Sequence, residues 1–326
     1  FLIEFLRLAA EKRAERCPAF HLAGQPTHRC ALSVALDFLG LNDVPIVHHR
    51  LLMNAPAIVV DPPILEIGVF QALGDVQFHA GGTSSIVDAK MQGAETVTLA
   101  VFVDTLPYTL VASPKIKAAS QLKGARFAVS RLGSVSDLSL RIALRNLGFN
   151  PEKEAVILGI GDQTSRFGAL RSGSVDATVI SPPLTVTARK MGFNLIASFQ
   201  EAGITWAYDS IDTTMDFARK NRETVINFLK AFIEGNAYIH KNKESSLGVL
   251  SRWMRLGDRE ALDETYDYLL KVLPKKPYAS DKGLQAVLDA IAIRYPNAKK
   301  FKPQDFTDMQ YLREIDQSGF IDKVFP

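Results

Sequence analysis

Two groups of small polar residues stand directly ahead of helix-patterned segments. Gly82, Thr83, Ser84 and Ser85 precede IVDAKMQ, and Gly133, Ser134 and Ser136 introduce DLSLRIAL. Each carries a capping-box spacing, Ser85 with Asp88 and Ser134 with Asp137. A helix beginning at such a place presents unpaired N–H groups and the positive end of its dipole, flanked by hydroxyls, and can hold an anion or a carbonyl oxygen. The same residues also serve a purely local purpose, because Ser and Thr at helix starts cap their own helix. A third rim is read in ISPPLTV, with Ser181 as N-cap and Pro182 at the first helical position. Arg166, near the start of the helix in GDQTSRFGAL, sets a cation against the macrodipole. Either a ligand carboxylate or sulfonate compensates it or the side chain reaches solvent, and Arg131 carries the same pair of readings. Tyr108 in DTLPY and Trp206 in GITWAYDS stand where the pattern changes character, and offer a stacking wall or ordinary packing at a domain junction.

The sequence contains no GxSxG, no P-loop, no GxGxxG between strand and helix and no HExxH. That absence argues against an enzyme. His48 and His49 are adjacent but belong to no motif. Cys17 and Cys30, with His21 and His28 between them, lack the tight cysteine pairing of a zinc site, so no metal and no cofactor are expected. The two thiols pair only if the compartment is oxidising.

The elements that must position these residues follow from periodicity. From about residue 64, short apolar runs alternate with amphipathic segments: VQFHA, a helix over 84–92, TVTLAVFV, TLVAS, ARFAVS, a helix over 135–147, EAVILGI, a helix over 164–172, DATVIS, a helix over 184–191, and NLIASF. The alternation predicts an α/β protein with mostly parallel sheets. Residues 167–183 and 67–85 repeat one order of helix, turn, strand and small polar cluster, as two similar lobes would. Beyond residue 221 helical periodicity dominates, over 222–240, 258–271, 282–294 and 308–317, with Gly319 as a C-cap. The weakly charged run 96–113 is interrupted by Asp104 and Pro107, and reads as two strands joined by a turn rather than a membrane span. FLIEFLRLAAEKR has no basic n-region and reads as an amphipathic helix, so an export signal is not expected within this chain.

Composition bounds the partners. With 326 residues, 47% hydrophobic and 22% charged, the chain has room for about two domains with a sizeable core. A net charge of +3, carried by scattered basic residues, excludes a polycation built to displace counterions from nucleic acid.

The phrases GDVQF, GGTSSIVDAKMQGAE, VDTLPYTLVASPKI, LKGARFAVSRLGSVSDLSLRIALRNLGFNP, ALRSGSVDATVISPP and KMGFNLIAS occur in an order that resembles the nitrate/sulfonate/taurine-type, NMT1/THI5-like substrate-binding proteins of ABC importers. FLKAFIEGNAYI and YLREIDQSGFID continue the likeness toward the C-terminus. The resemblance implies a type II periplasmic-binding-protein fold with a helical C-terminal part. One lobe would take residues 1–108 and 204–326, the other 109–203. It implies a monomeric extracytoplasmic receptor that performs no reaction. The receptor would clamp a small sulfonate, nitrate, carboxylate or pyrimidine-like ligand between its lobes and deliver it to a membrane permease. Location would be periplasmic or extracellular, free or anchored as a lipoprotein. Gly82, Thr83, Ser84, Tyr108, Gly133, Ser134, Ser136, Arg166, Ser181 and Pro182 are the expected ligand contacts. An enzyme of thiamine-pyrimidine-type biosynthesis on the same fold, or a sensing domain detached from a signalling protein, remain the alternatives. Residues 1–60 depart from the strand, loop and helix with which the family opens.

Overall fold

The computed structural model describes the backbone of Ile58–Val59 together with residues 77–292 and 295–326. The readings made on Cys17, His21, His28, Cys30, His48 and His49 lie outside the described residues, as does the first half of the segment 67–85. In chain order the elements begin β1 (Ile58–Val59), β2 (Phe78–Gly82), α1 (Thr83–Met91), β3 (Thr96–Thr105), β4 (Thr109–Ala112), β5 (Arg126–Val129) and α2 (Val135–Asn146). They continue with β6 (Val156–Gly159), α3 (Gln163–Arg171), β7 (Ala177–Ile180), α4 (Leu184–Lys190), β8 (Asn194–Ser198) and β9 (Thr205–Thr214). The remainder is helical: α5 (Met215–Lys220), α6 (Arg222–Lys241), α7 (Lys243–Met254), α8 (Arg259–Val272), α9 (Asp281–Ile291), α10 (Gln310–Gln317) and α11 (Phe320–Val324). Gly319 follows α10 with φ 73°, the left-handed geometry expected of its C-cap role.

The chain divides into two compact units. The first takes the described residues up to Phe102 together with Asp209–Arg255 and Leu273–Pro326, and the second takes Val103–Tyr208 and Leu256–Val272. Sequence reasoning placed these passages near 108/109 and 203/204 and left α8 with the other lobe. Ion pairs at the surface join α4 to α8 and the residue before it: Arg189 binds Glu260 and Glu264, and Lys190 binds Asp258 at 2.5 Å and Glu260 at 2.9 Å.

Unit 1 is built on the strand order β1-β2-β9-β3, with β1 parallel to β2 and β2 antiparallel to β9. The run TVTLAVFV is buried at every residue, so it fills a strand covered on both faces. Phe78 of β2 stacks on Phe228 of α6, ring centroids 4.1 Å apart, and meets Phe217 of α5 edge-on at 5.5 Å, which seats those helices on the sheet.

Unit 2 has the order β6-β5-β7-β4-β8. β5 runs parallel to β6 and β7, whereas β4 is antiparallel to both β7 and β8. The sheets are therefore mixed, where mostly parallel ones were expected. β4 follows β3 after only Leu106–Tyr108, with no crossover helix to turn the chain back, and so it alone opposes its neighbours. The consequence for function is geometric. The carboxyl ends of β5, β6, β7 and β8 and the amino end of β4 share one edge, the edge at which open α/β sheets bind ligands.

Candidate functional site

Three helix starts line that edge of unit 2. At the first, β5 ends in Ser130 and α2 begins after Ser134, the N-cap, whose Oγ accepts the Asp137 N–H at 3.4 Å. The capping-box spacing is shifted by one residue: the Asp137 carboxylate accepts from Gly133 N at 2.7 Å, and Gly133 turns with φ 79° to allow it. Three hydroxyls form a closed triangle. Ser130 donates to Ser134 at 2.8 Å, and the sides Ser134–Ser136 and Ser136–Ser130 measure 2.9 and 3.0 Å. Each serine has one proton, so the three sides use all of them. The Val135 and Ser136 N–H groups, at the first two helical positions, meet no acceptor among the described residues.

The second start is α3. Asp162 caps it, accepting Ser165 N–H at 2.7 Å, and that bond holds the Asp162 carboxyl below the usual carboxylate range. The β6–α3 connection lies against the first start, because Gly161 N donates to Ser130 O at 3.0 Å. Arg166 is the fourth residue of this helix. It is 2% exposed, its guanidinium carbon lies 5.9 Å from the Tyr108 ring centroid, and its Nε meets no acceptor among the described residues. No carboxylate among the described residues forms an ion pair with it. Asp162, occupied with its own cap, supplies only a more distant negative charge. A charged side chain is seldom buried unless paired. Tyr108 is itself buried, with its hydroxyl 2.8 Å from that of Tyr208 and the two rings edge to face at 5.7 Å.

The third start corrects the expectation for Ser181 and Pro182. α4 begins at Leu184 with Pro183 as N-cap, and Pro182–Pro183 is a cis peptide. Ser181 caps nothing. Its N–H and Oγ–H both donate to Gln163 Oε1, at 2.7 and 3.1 Å, tying the end of β7 to the start of α3. The physical reason is local: Pro183 removes one of the two N–H donors open to a Ser181 cap, and the other, Leu184 N–H, goes to the Ser181 carbonyl at 3.1 Å.

The other predicted cluster lies in unit 1. α1 starts at Thr83 with Gly82 as N-cap and no side-chain cap bond, so Ser85 lies inside the first turn and the Ser85–Asp88 capping box does not form. Glycine has no side chain to cap with. Thr83 and Ser84 are buried, and Thr83 Oγ1 meets no partner among the described residues. Beneath this start, His79 and Asp212 face each other as register partners of β2 and β9, His79 Nδ1 lying 2.9 Å from Asp212 Oδ2. Thr98 and Ser210 also donate to the Asp212 carboxylate, at 2.6 and 2.8 Å. All four are buried, which makes this a cross-strand pin of the sheet.

The structure thus brings Gly133, Ser134 and Ser136 together, sets Arg166 on Tyr108, and joins Ser181 to the α3 start. Sequence reasoning missed Ser130, Gln163 and Tyr208. Ser130 had a signal, since it closes the ARFAVS strand four residues before Ser134, and Tyr208 repeats the parity of Trp206 along β9. Trp206 is wholly buried, the packing role. Arg131 is exposed on the loop between β5 and α2.

An α/β chain of two compact units, with helix starts gathered at a carboxyl edge, has the periplasmic-binding-protein architecture. The NMT1/THI5-like family model matches residues 69–246, more than half of the chain, and the chain belongs to that family. A Brachyspira hyodysenteriae protein described as an ABC transporter periplasmic binding protein is 22% identical over 200 residues, 61% of this chain. The match spans only 56% of that relative's length. The alkanesulfonate-binding protein SsuA of Xanthomonas axonopodis, solved with MOPS bound, has a TM-score of 0.60 at 16% identity, covering 88% of this chain and 94% of its own. The aliphatic sulphonate binding protein SsuA of Escherichia coli has a TM-score of 0.60 at 20% identity, covering 86% and 88%. At these identities the likeness carries the fold. Among the described residues no helix is long and apolar enough to cross a membrane.

Proposed function

We propose that this chain is an extracytoplasmic solute-binding protein of an ABC importer, and that it binds a small organic anion, a sulfonate or carboxylate, with Arg166 as the anchor. One observation carries the reading: a guanidinium 2% exposed, four residues into a helix whose dipole opposes it, has no carboxylate partner in its own unit. An anionic ligand supplies the missing acceptor, and the planar fork of arginine offers it two parallel charge-assisted hydrogen bonds. The free N–H groups of Val135 and Ser136 add donors on the same edge. The serine triangle enters differently from the sequence expectation. Its protons are turned inward, so Ser130, Ser134 and Ser136 hold the rim's shape and become donors only if an anion draws them outward.

The likeness to two sulfonate-binding proteins supports sulfonates as the first ligands to test, and the family supports delivery to a permease. Calorimetric titration of the purified protein against alkanesulfonates, aliphatic and aromatic carboxylates, nitrate and pyrimidines tests the proposal. Binding of a sulfonate or carboxylate that weakens by about tenfold or more in Arg166→Met is expected. Affinity unchanged by the substitution, or a ligand found only among uncharged molecules, overturns it.

A further inference from the structure

Four of the seven large apolar side chains left exposed among the described residues gather at one place, the outer edge of β6. Leu132 and Val156 are at least half exposed, Leu158 and Ile160 more than a third. Val156, Leu158 and Ile160 alternate along the strand and so share one face. Leu132 stands beside the strand's carboxyl end, in the loop whose Ser130 carbonyl accepts the Gly161 N–H at 3.0 Å. β6 ends its sheet, next to β5. Val156 and Ile160 turn their N–H groups inward, to the Ala125 and Val129 carbonyls at 3.0 and 2.8 Å. By strand alternation Ile157 and Gly159 turn their N–H and C=O groups outward, where no partner among the described residues meets them. The run VILGI has neither charge nor proline, the usual means of blunting such an edge. The opposite edge differs, since α8 stands beside β8 and the two line a cleft.

We infer that this edge pairs with the same edge of a second copy of the chain, antiparallel and around a two-fold axis through Leu158. The register follows from the outward groups. Ile157 of one copy exchanges both N–H···O bonds with Gly159 of the other, and Gly159 with Ile157. Leu158 then faces its own counterpart in the close, non-hydrogen-bonded pair, with Cα atoms about 4.5 Å apart. Val156 faces Ile160 on either side of it, and Leu132 extends the apolar row at each end. The strand thus matches itself, apolar residue to apolar residue, and a second copy supplies that match by symmetry. Glu154 and Asp162, which this register brings near each other, are already bound in their own copies, Glu154 to Lys123 and the Asn150 N–H, Asp162 to the Ser165 N–H. The apolar area is small beside the roughly 1,200 Å² at which standard interfaces begin, so the dimer is weak, with Kd on the order of 100 µM. Because the paired strands run oppositely, the carboxyl edges of the two copies of unit 2 point in opposite directions.

Sedimentation velocity from about 10 µM to about 1 mM tests the pairing, and wild type should shift toward the dimer across that range. Leu158→Lys and Leu158→Glu, at an exposed position, set like charges face to face on the axis, and each should weaken association by about tenfold or more. Their equimolar mixture should dimerise again, because only this register puts residue 158 opposite itself. Amide exchange gives a second reading that needs no variant: the Ile157 and Gly159 N–H groups should exchange freely in dilute wild type and gain protection as concentration rises. Wild type monomeric at about 1 mM, a dimer indifferent to Leu158→Lys, or a mixture of folded variants no more associated than its components overturns the pairing. So does protection of both amides in dilute protein, the sign that a segment of the same chain covers the edge.

Discussion

Replacing Arg166 by methionine should move stability and affinity in opposite directions. The native protein without ligand carries a buried guanidinium that meets no carboxylate in unit 2 and gains from the Tyr108 face about 0.5–2 kcal/mol. That is less than the several kcal/mol that desolvating an ion costs. Methionine keeps an unbranched chain over the ring, with a sulfur–aromatic contact of about 0.3–1.5 kcal/mol, and removes the charge. A net gain of about 1–3 kcal/mol is expected, by the precedent of buried charges exchanged for apolar groups of like size. At roughly 2 °C per kcal/mol for a large chain, Tm should rise by about 2–6 °C. Affinity should fall by about 10- to 150-fold, the loss of hydrogen bonds worth about 1.5–3 kcal/mol to a charged group. A ligand at 100 times its wild-type Kd raises native stability by about 2.7 kcal/mol, and the variant should keep only about 0.3–1.4 kcal/mol of that shift. Differential scanning calorimetry with and without ligand reads both quantities from one sample. A variant destabilised by more than about 1 kcal/mol with unchanged affinity would show that Arg166 packs the unit and anchors nothing.

Ser134→Ala should cost about 1 kcal/mol in urea unfolding, because it removes an N-cap and opens the hydroxyl triangle; no change would mean that the 3.4 Å cap bond is idle. Ser136→Asp, harmless on a solvated first turn, should instead cost about 1–3 kcal/mol, since Ser136 is 2% exposed and adjoins Asp137; an undiminished Tm would contradict that burial. Asp212→Ala should cost about 3–5 kcal/mol by orphaning His79, Thr98 and Ser210, whereas the double change His79→Leu with Asp212→Leu should recover part of it; a loss below 1 kcal/mol refutes the pin. Arg126 holds the Asp176 carboxyl below the usual carboxylate range through a side-chain hydrogen bond. A lowered native pKa contributes stability that is full above the unfolded pKa and is lost as pH falls through the native one. Asp176→Asn should therefore flatten the acid limb of a Tm-against-pH curve, and an unaltered limb would rule the pair out as its source.

Much of unit 2 was legible because its residues alternate strand and helix with clean punctuation. The helices expected over 135–147, 164–172 and 184–191 start within a residue of α2, α3 and α4. Direction was not legible: TLVAS reads alike in a parallel or antiparallel place, and β4 took the second because no helix precedes it. α7 escaped notice because KESSLGVLSRWM puts Ser, Ser and Gly where apolar residues would mark a face, and its burial is decided by packing. At the site, residue types were informative and pairings were not. Ser181 reads as a cap, yet its hydroxyl donates to Gln163 and the Leu184 N–H goes to its carbonyl instead. Arg166 was found from its position against the dipole, yet its platform, Tyr108 with Tyr208, joins residues a hundred positions apart.

The place of α8 matters to how the chain is made. Unit 2 needs residues 256–272, which the ribosome delivers only after the whole of α6 and α7 of unit 1. Until then Arg189 and Lys190 on α4 have no acidic partners from α8, and the β8 side of the sheet lacks one wall of its cleft. Neither unit is a contiguous stretch of translation product: unit 2 is complete once Val272 is made, whereas unit 1 still awaits Leu273–Pro326. The interleaving delays a finished unit 2 until about five-sixths of the chain has been made, and a nascent product ending before α8 carries Arg166 on Tyr108 while the acidic partners of α4 are still missing.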